Sequence, residues 1–197
     1  MKDFNYHSAK DSKEASKLSS SNSAFLAGGM TTIPSMKLGL ASYKDLINIK
    51  NIKKLSGIKV SAKSVTIGAT TKHVEVANSK EVKKAIPSLA NLAEGIGDPQ
   101  VRNRGTIGGS VANNDPSADY PSACIALNAT IHTNDRKIEA SKFFKGMFET
   151  ALKKGELIEA IEFQIPEKSS YQKHPNPASR YAVVGVYVAK HKKDINV

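Results

Sequence analysis

Five of the thirteen glycines in this chain fall between Gly95 and Gly109, within GIGDPQVRNRGTIGGSVANNDPSADYP, the stretch from Gly95 to Pro121. Glycine gathers where a backbone must take positive φ or let another group come close. The fold must therefore be organised around such an approach. From Gly105 to Asn134 there is no Lys or Arg, although the chain carries 29 of them, and the only formal charges are Asp115 and Asp119. A glycine-rich turn without basic side chains still binds an anion, through converging backbone N–H groups. An isolated Gly-Gly pair reads first as a tight turn between strands. Here a second glycine turn, AGGMTT at residues 27–32, also follows an apolar strand-like run. Two such turns in one small chain point to a phosphate-bearing ligand.

With 197 residues, 40% of them hydrophobic, the chain can build one sizeable core or two small ones. The net charge of +11 raises nucleic acid or an anionic surface as a rival reading. The excess is scattered Lys with few aromatics between, the pattern of a solvated face, so no nucleic-acid partner is expected. A single cysteine, Cys124, excludes an intrachain disulfide and any cysteine-only metal site. Its apolar surroundings, SACIALNA, suit a buried packing thiol. The five histidines are dispersed without metal-ligand spacing. Ser110 lies in no G-x-S-x-G elbow, and neither the Rossmann fingerprint nor the Walker lysine loop occurs. A start too polar for a signal peptide, and no apolar run near the roughly 18 residues of a membrane helix, suggest a cytoplasmic chain that does not span a membrane.

Along the chain, a short strand at Phe4–Tyr6 precedes a polar helix near Ser12–Leu18 with Asp11 or Ser12 as N-cap. A buried strand AFLAG, an irregular or helical link over residues 33–40 and a strand DLINI follow, making a β-α-β unit. IKVSAKSVTIGA alternates as a hairpin turning near Ala62–Ser64. Helical spacing covers His73–Ala85 and then SLANLAEGIG, stopped by Gly95 or Gly97. VRNRGTIGG and NATIHTN read as strands flanking a helix that Asp119 can cap, with Pro121 in its first turn. Asp115 and Asp119 are thus two caps, or one cap and one hydroxyl-binding carboxylate. A strand at Glu139, a helix near Phe143–Phe148 and a strand LIEAIEFQIP come next. EKSSYQKHPNPAS reads as turn-rich, and RYAVVGVYVAK as a new buried strand or helix. The reading at Val197 is of a unit cut short, or completed by a partner.

AGGMTTIPSMKLGL, TIGATTKHVEV, IGDPQVRNRGTIGGSVANNDPSADYPSACIALNATI and NPASRYAVVGVYVA, in that order, closely resemble the FAD-binding medium subunit of the molybdenum hydroxylases. These are aerobic carbon monoxide dehydrogenase and its xanthine dehydrogenase relatives. The resemblance implies an α+β, two-subdomain FAD-binding fold of the vanillyl-alcohol-oxidase (PCMH) type. Residues 1–55 and 56–166 would form the two subdomains, and residues 167–197 a linker and the start of the family's C-terminal domain. It implies that Ala27, Gly28, Gly29, Met30, Thr31 and Thr32, with Thr106, Ile107, Gly108, Gly109 and Ser110, form two loops that cradle the pyrophosphate of a non-covalent FAD. Asn113 and Asp119 would hydrogen-bond the cofactor, Ile96 would pack against adenine and Lys173 would stand near the isoalloxazine edge. Met30 departs from a family position that is often polar. The implied partners are a molybdopterin-containing large subunit and a 2Fe–2S small subunit. Electrons from the clusters would reach the flavin here and pass on to an external acceptor. The alternatives are a basic protein that binds an anionic surface or nucleic acid, and a cofactor-free assembly subunit of the same fold.

Overall fold

The computed structural model describes all 197 residues. Its first 48 residues alternate strand and helix: β1 (Asn5–Ser8), α1 (Ser12–Leu18), β2 (Ser23–Leu26), α2 (Thr32–Lys37) and β3 (Asp45–Asn48). Asp11 caps α1 by accepting the Glu14 N–H at 2.8 Å, and the Glu14 carboxylate accepts the Lys10 N–H at 2.7 Å. Together these two bonds fix where the helix starts. The three strands form a parallel sheet in the order β1-β3-β2. The last strand is therefore central, and its Leu46 and Ile47 are fully buried, as a parallel strand covered on both faces requires. Ile47 belongs to a small core of seven buried residues, which also includes Ala15, Leu55 and Leu157.

The second sheet is antiparallel and five-stranded. Its strands are β4 (Ile58–Val60), β5 (Ser64–Gly68), β6 (Thr130–Thr133), β7 (Lys137–Glu139) and β10 (Ile158–Gln164), in the order β4-β5-β10-β6-β7. The β4–β5 turn is held by the Ser61 hydroxyl, which accepts the N–H groups of Lys63 and Ser64. Between β5 and β6 run α3 (His73–Asn78), α4 (Lys80–Ala85), α5 (Pro87–Glu94), α6 (Pro99–Arg104), α7 (Ile107–Asn113) and α8 (Tyr120–Ala126). Their apolar side chains, among them Leu89, Leu92, Ile107 and Cys124, meet Ile67, Ile161 and Phe163 of the sheet in a core of 28 buried residues. No helix is long and apolar enough to cross a membrane.

Three sequence expectations need correction. VRNRGTIGG is not a strand but α6 and the first half of α7. Asp98 accepts the Val101 N–H at 2.8 Å with Pro99 at the helix start, and Thr106 Oγ1 accepts the Gly109 N–H at 3.2 Å. Both are N-caps, and they override the strand-like look of Val101 and Ile107. The expected helix at 143–148 is a single turn, α9 (Ala140–Phe143), followed by a hairpin of β8 (Phe144–Gly146) and β9 (Glu149–Thr150). The turn-rich EKSSYQKHP is β11 (Lys168–Pro175), paired with β12 (Ala182–His191), which in turn pairs with β13 (Asp194–Asn196). Ser169, Tyr171 and Lys173 of β11 point inward, so its period of two is written in polar residues. Tyr187 and Ala189 of β12 are buried as expected, but Val183, Val184 and Val186 are exposed.

Gly108 is helical, yet a Cβ there would lie 2.5 Å from the Ala69 Cβ and 2.7 Å from the Ala69 carbonyl oxygen. The helix can sit on the end of β5 only because that side chain is missing. At Gly109 an added Cβ meets only the Thr106 hydroxyl, at 3.0 Å. Gly→Ala within a helix ordinarily stabilises by about 1 kcal/mol. Gly108→Ala should instead destabilise by about 1–3 kcal/mol through overpacking, while Gly109→Ala should leave the urea midpoint nearly unchanged.

Candidate functional site

A cavity of about 410 Å³ opens between the two cores, within the usual size range of a small-molecule site. Phe25 and Ile49 enter it from the parallel sheet, Ala69 and Ile158 from the antiparallel one. The two glycine loops meet at its wall. A Cβ on Gly28 would lie 2.4 Å from the Arg104 carbonyl oxygen and 2.8 Å from the Gly105 Cα, and one on Gly105 would lie 2.6 Å from His73 Nε2. Backbone lies on backbone there, with His73 beneath.

The loops differ in what they offer a ligand. In α7 the N–H of Ile107 donates to the Thr71 carbonyl at 3.0 Å and that of Gly108 to the Ala69 carbonyl at 2.9 Å. The Gly109 and Ser110 N–H groups donate to the Thr106 side chain and carbonyl. These donors are engaged in fixing the helix to β5 and in its own cap. From Ala27 to Thr32 no backbone N–H donates to any protein acceptor. Gly29 has φ of +75°, which bends this run around the cavity wall. A series of free N–H groups on a concave wall suits an anion, and the loop offers no cation of its own.

Of the residues singled out in the sequence, Ala27, Gly28, Gly29, Met30, Thr31, Thr32, Ile96, Thr106, Gly108, Gly109, Ser110, Asn113 and Asp119 line the cavity together. Ile107 does not: its side chain is fully buried in the large core. Lys173 is not in the wall either, but reaches it through Asp119. Its Nζ lies 2.9 Å from Asp119 Oδ1 and donates to the Gly95 carbonyl at 3.0 Å. The Tyr171 hydroxyl donates to the same carboxylate. Asp119 occupies the N-cap position of α8 but makes no side-chain cap bond, so the expected capping role gives way to this pairing with β11. Asp115 accepts the Ser117 N–H at 2.9 Å, a local turn contact.

Sequence reasoning missed Arg180 and Tyr181, which line the cavity from the turn between β11 and β12. Arg180 has φ of +60°, rare for a side chain of its size. Burial, then the nearby Asp115 and Asp119, raises the Tyr181 phenol above its ordinary pKa. It also passed over His73, whose buried Nδ1 has no hydrogen-bond partner and whose ring lies 5.5 Å from that of Tyr120. Burial, with Arg102 beside it, depresses His73 to about 4. Glu156, also in the wall, is opposed by burial but held down to about 2 by Arg136, the Lys153 N–H and Thr133. The signal for Arg180 and Tyr181 lay in NPASRY, between two strands. The signal for His73 was its place at the start of the helix that follows the glycine-ended strand β5.

A cavity between two cores, lined by polar and apolar residues alike and with one wall of free backbone N–H groups, defines a domain that binds a phosphate-bearing cofactor. Residues 2–167 match the FAD binding domain in molybdopterin dehydrogenase, and the chain belongs to that family. Its cofactor is FAD, and it is the FAD-binding part of an oxidoreductase. It is 37% identical over 195 residues to the glyceraldehyde dehydrogenase medium chain of Sulfolobus acidocaldarius, covering 95% of this chain and 69% of that one. To the carbon monoxide dehydrogenase medium chain of Hydrogenophaga pseudoflava it is 35% identical over 201 residues, covering 96% and 69%. The solved carbon monoxide dehydrogenase from Hydrogenophaga pseudoflava superposes with a TM-score of 0.92 over 98% of this chain and 71% of that one.

Two outcomes follow from the electrostatics of the wall. Above pH 6.5 the neutral His73 contributes its full stability. As pH falls from 6.5 towards 4 the unfolded chain takes up the proton first, and stability drops by about 1.4 kcal/mol per pH unit, about 3 kcal/mol in all. Denaturation midpoints of His73→Phe should lose that slope while keeping the one that Glu156 contributes between pH 4.5 and about 2. Lys173 and Asp119 are both more than nine-tenths buried, so Lys173→Met strands a carboxylate and should cost about 3–5 kcal/mol. Adding Asp119→Asn should recover most of that loss.

Proposed function

We propose that this chain is the flavin-carrying subunit of a molybdenum hydroxylase complex. It would take electrons from 2Fe–2S clusters on a small subunit, supplied by a molybdopterin-containing large subunit, and deliver them to an external acceptor. The observation that carries the reading is the unbroken run of free backbone N–H groups from Ala27 to Thr32, which fits the pyrophosphate of FAD without a counter-cation. Bound FAD supplies the redox chemistry, and the protein supplies binding and electrostatics.

In this reading the residues divide the work as follows. Gly28 and Gly29 let the loop approach the phosphates, and the hydroxyls of Thr31, Thr32 and Ser110 add donors that rotate to suit. Thr106, Gly108 and Gly109 set the opposite wall at its distance through α7. Ile96 offers an apolar face for the adenine, and Asn113 and the free capacity of Asp119 offer hydrogen bonds to hydroxyls. Lys173 acts by neutralising and orienting Asp119, while Arg180 and Tyr181 close the cavity from the β11–β12 turn. Neither glycine loop contains a His or Cys, in keeping with a non-covalent cofactor. The same proposal includes a PCMH-type fold divided at residues 1–55, 56–166 and 167–197, each range holding one of the three larger sheets.

Titration of the apoprotein followed by flavin fluorescence tests this reading. FAD should bind at least tenfold more tightly than FMN, which lacks the pyrophosphate and adenosine. Gly29→Val, which forces a branched side chain to φ of +75°, should weaken FAD by more than tenfold. Equal affinity for the two flavins, or unchanged affinity in Gly29→Val, would sink the assignment of the loop.

A further inference from the structure

Two large apolar side chains stand in solvent where neither fold nor cavity uses them. Met147 is 73% exposed and Phe148 57% exposed, and together they form the tip between β8 and β9. Phe148 has φ of +57°, a conformation in which Asn or Gly is the ordinary choice and a bulky aromatic is an outlier. The tip is also held rigidly. The Asn114 side chain donates to the Gly146 carbonyl at 2.7 Å and to the Glu149 carbonyl at 2.9 Å, and the Phe148 N–H donates to the Asn114 carbonyl at 3.0 Å. At the hairpin's base, Phe144 packs edge-on against the buried Phe143, with ring centroids 5.2 Å apart.

Asn114 is the C-cap of α7, the helix that lines the cavity from Gly108 to Asn113, so the hairpin's anchor directly follows a residue of the cavity wall. Beside the hairpin runs a shallow groove whose wall carries five basic side chains against two carboxylates. Three of the five, Lys137, Lys145 and Lys153, are in no ion pair within 4.0 Å. The apolar tip is thus flanked by uncompensated positive charge.

From this geometry we infer that the Met147–Phe148 tip and its lysine groove are the docking surface for the electron-donating iron–sulfur subunit. That partner presents an apolar socket rimmed by carboxylates. The inference rests on the function proposed above. Exposed apolar side chains on a rigid support mark an interaction site, and an aromatic anchor within a polar rim is the usual anatomy of one. Continuity with the cavity selects the donor: a protein seated on this hairpin lies beside the helix that carries the cavity wall. Charge selects against a second copy of this chain, which carries +11 and would bring like charge to the lysine groove.

The test titrates the purified iron–sulfur subunit of the same complex against this chain loaded with FAD, with association and dissociation rates recorded. The double variant Met147→Ser, Phe148→Asn suits the backbone, because Asn accepts left-handed φ. It should bind at least tenfold more weakly, through faster dissociation, with flavin content and Tm unchanged. Lys145→Glu with Lys153→Glu should slow association and flatten its dependence on salt. Wild-type affinity in the folded tip variant would overturn the docking surface alone. Failure of the unaltered chain to bind the iron–sulfur subunit would overturn the subunit reading as well. Loss of FAD from the tip variant would assign the hairpin to the cavity, and a self-associated wild-type chain that the variant converts to monomer would assign it to a second copy. Either result would overturn the proposal.

Discussion

The molecule depends on one close approach: Gly28 lies against the Arg104 carbonyl and the Gly105 Cα at distances that no Cβ permits. That contact presses the parallel sheet onto the helical layer. Below it, Gly105 rests on His73, and Gly108 rests on Ala69 at the end of β5. Each glycine in this series allows two layers to touch where a side chain would hold them apart. This accounts for two of the five glycines from Gly95 to Gly109, and for Gly28, without reference to a ligand. Of the five glycines from Gly95 to Gly109, only Gly97 takes positive φ.

The consequence for chemistry is a division between two loops that look alike in sequence. TIGGS has committed its backbone donors to β5 and to its own cap, so its contribution is position. AGGMTT has kept its donors free, so its contribution is binding. The cavity's charge is similarly arranged in advance. Asp119 and Glu156 both face it, but Lys173 and Arg136 hold them from behind. An anionic cofactor therefore meets these two carboxylates already compensated, in a wall that offers it free backbone N–H groups and the cation of Arg180.

Local signals in the sequence were legible wherever the structure is local. Asp11 caps α1, the hairpin turns at residues 61–63, and α5 ends at Gly95, each fixed by neighbours within a few positions. The pair of caps in D-P-Q-V and T-I-G-G was equally local, but it was hidden by apolar residues that suited a strand. β11 was illegible for a different reason: its inward face is Ser169, Tyr171 and Lys173, so alternation of hydrophobicity could not show it. The pairing of Asp119 with Tyr171 and Lys173 was illegible because these partners stand 52 and 54 residues away. Arg180 and Tyr181 enter the cavity only because the β11–β12 pairing returns the chain there. The site's glycines were visible as composition, and their separate jobs only as geometry.

The smaller core has one further consequence. Seven buried residues beneath a three-stranded sheet bury too little apolar surface to stand firmly alone. Much of that layer's hold on the rest of the molecule runs through Gly28, Leu157 and the cavity itself. It is the natural first unit to open in local unfolding, well before the larger core is disturbed. A cofactor lodged between the two cores would cross-brace them, so its occupancy sets how often the parallel sheet swings free and exposes its central strand to exchange with solvent.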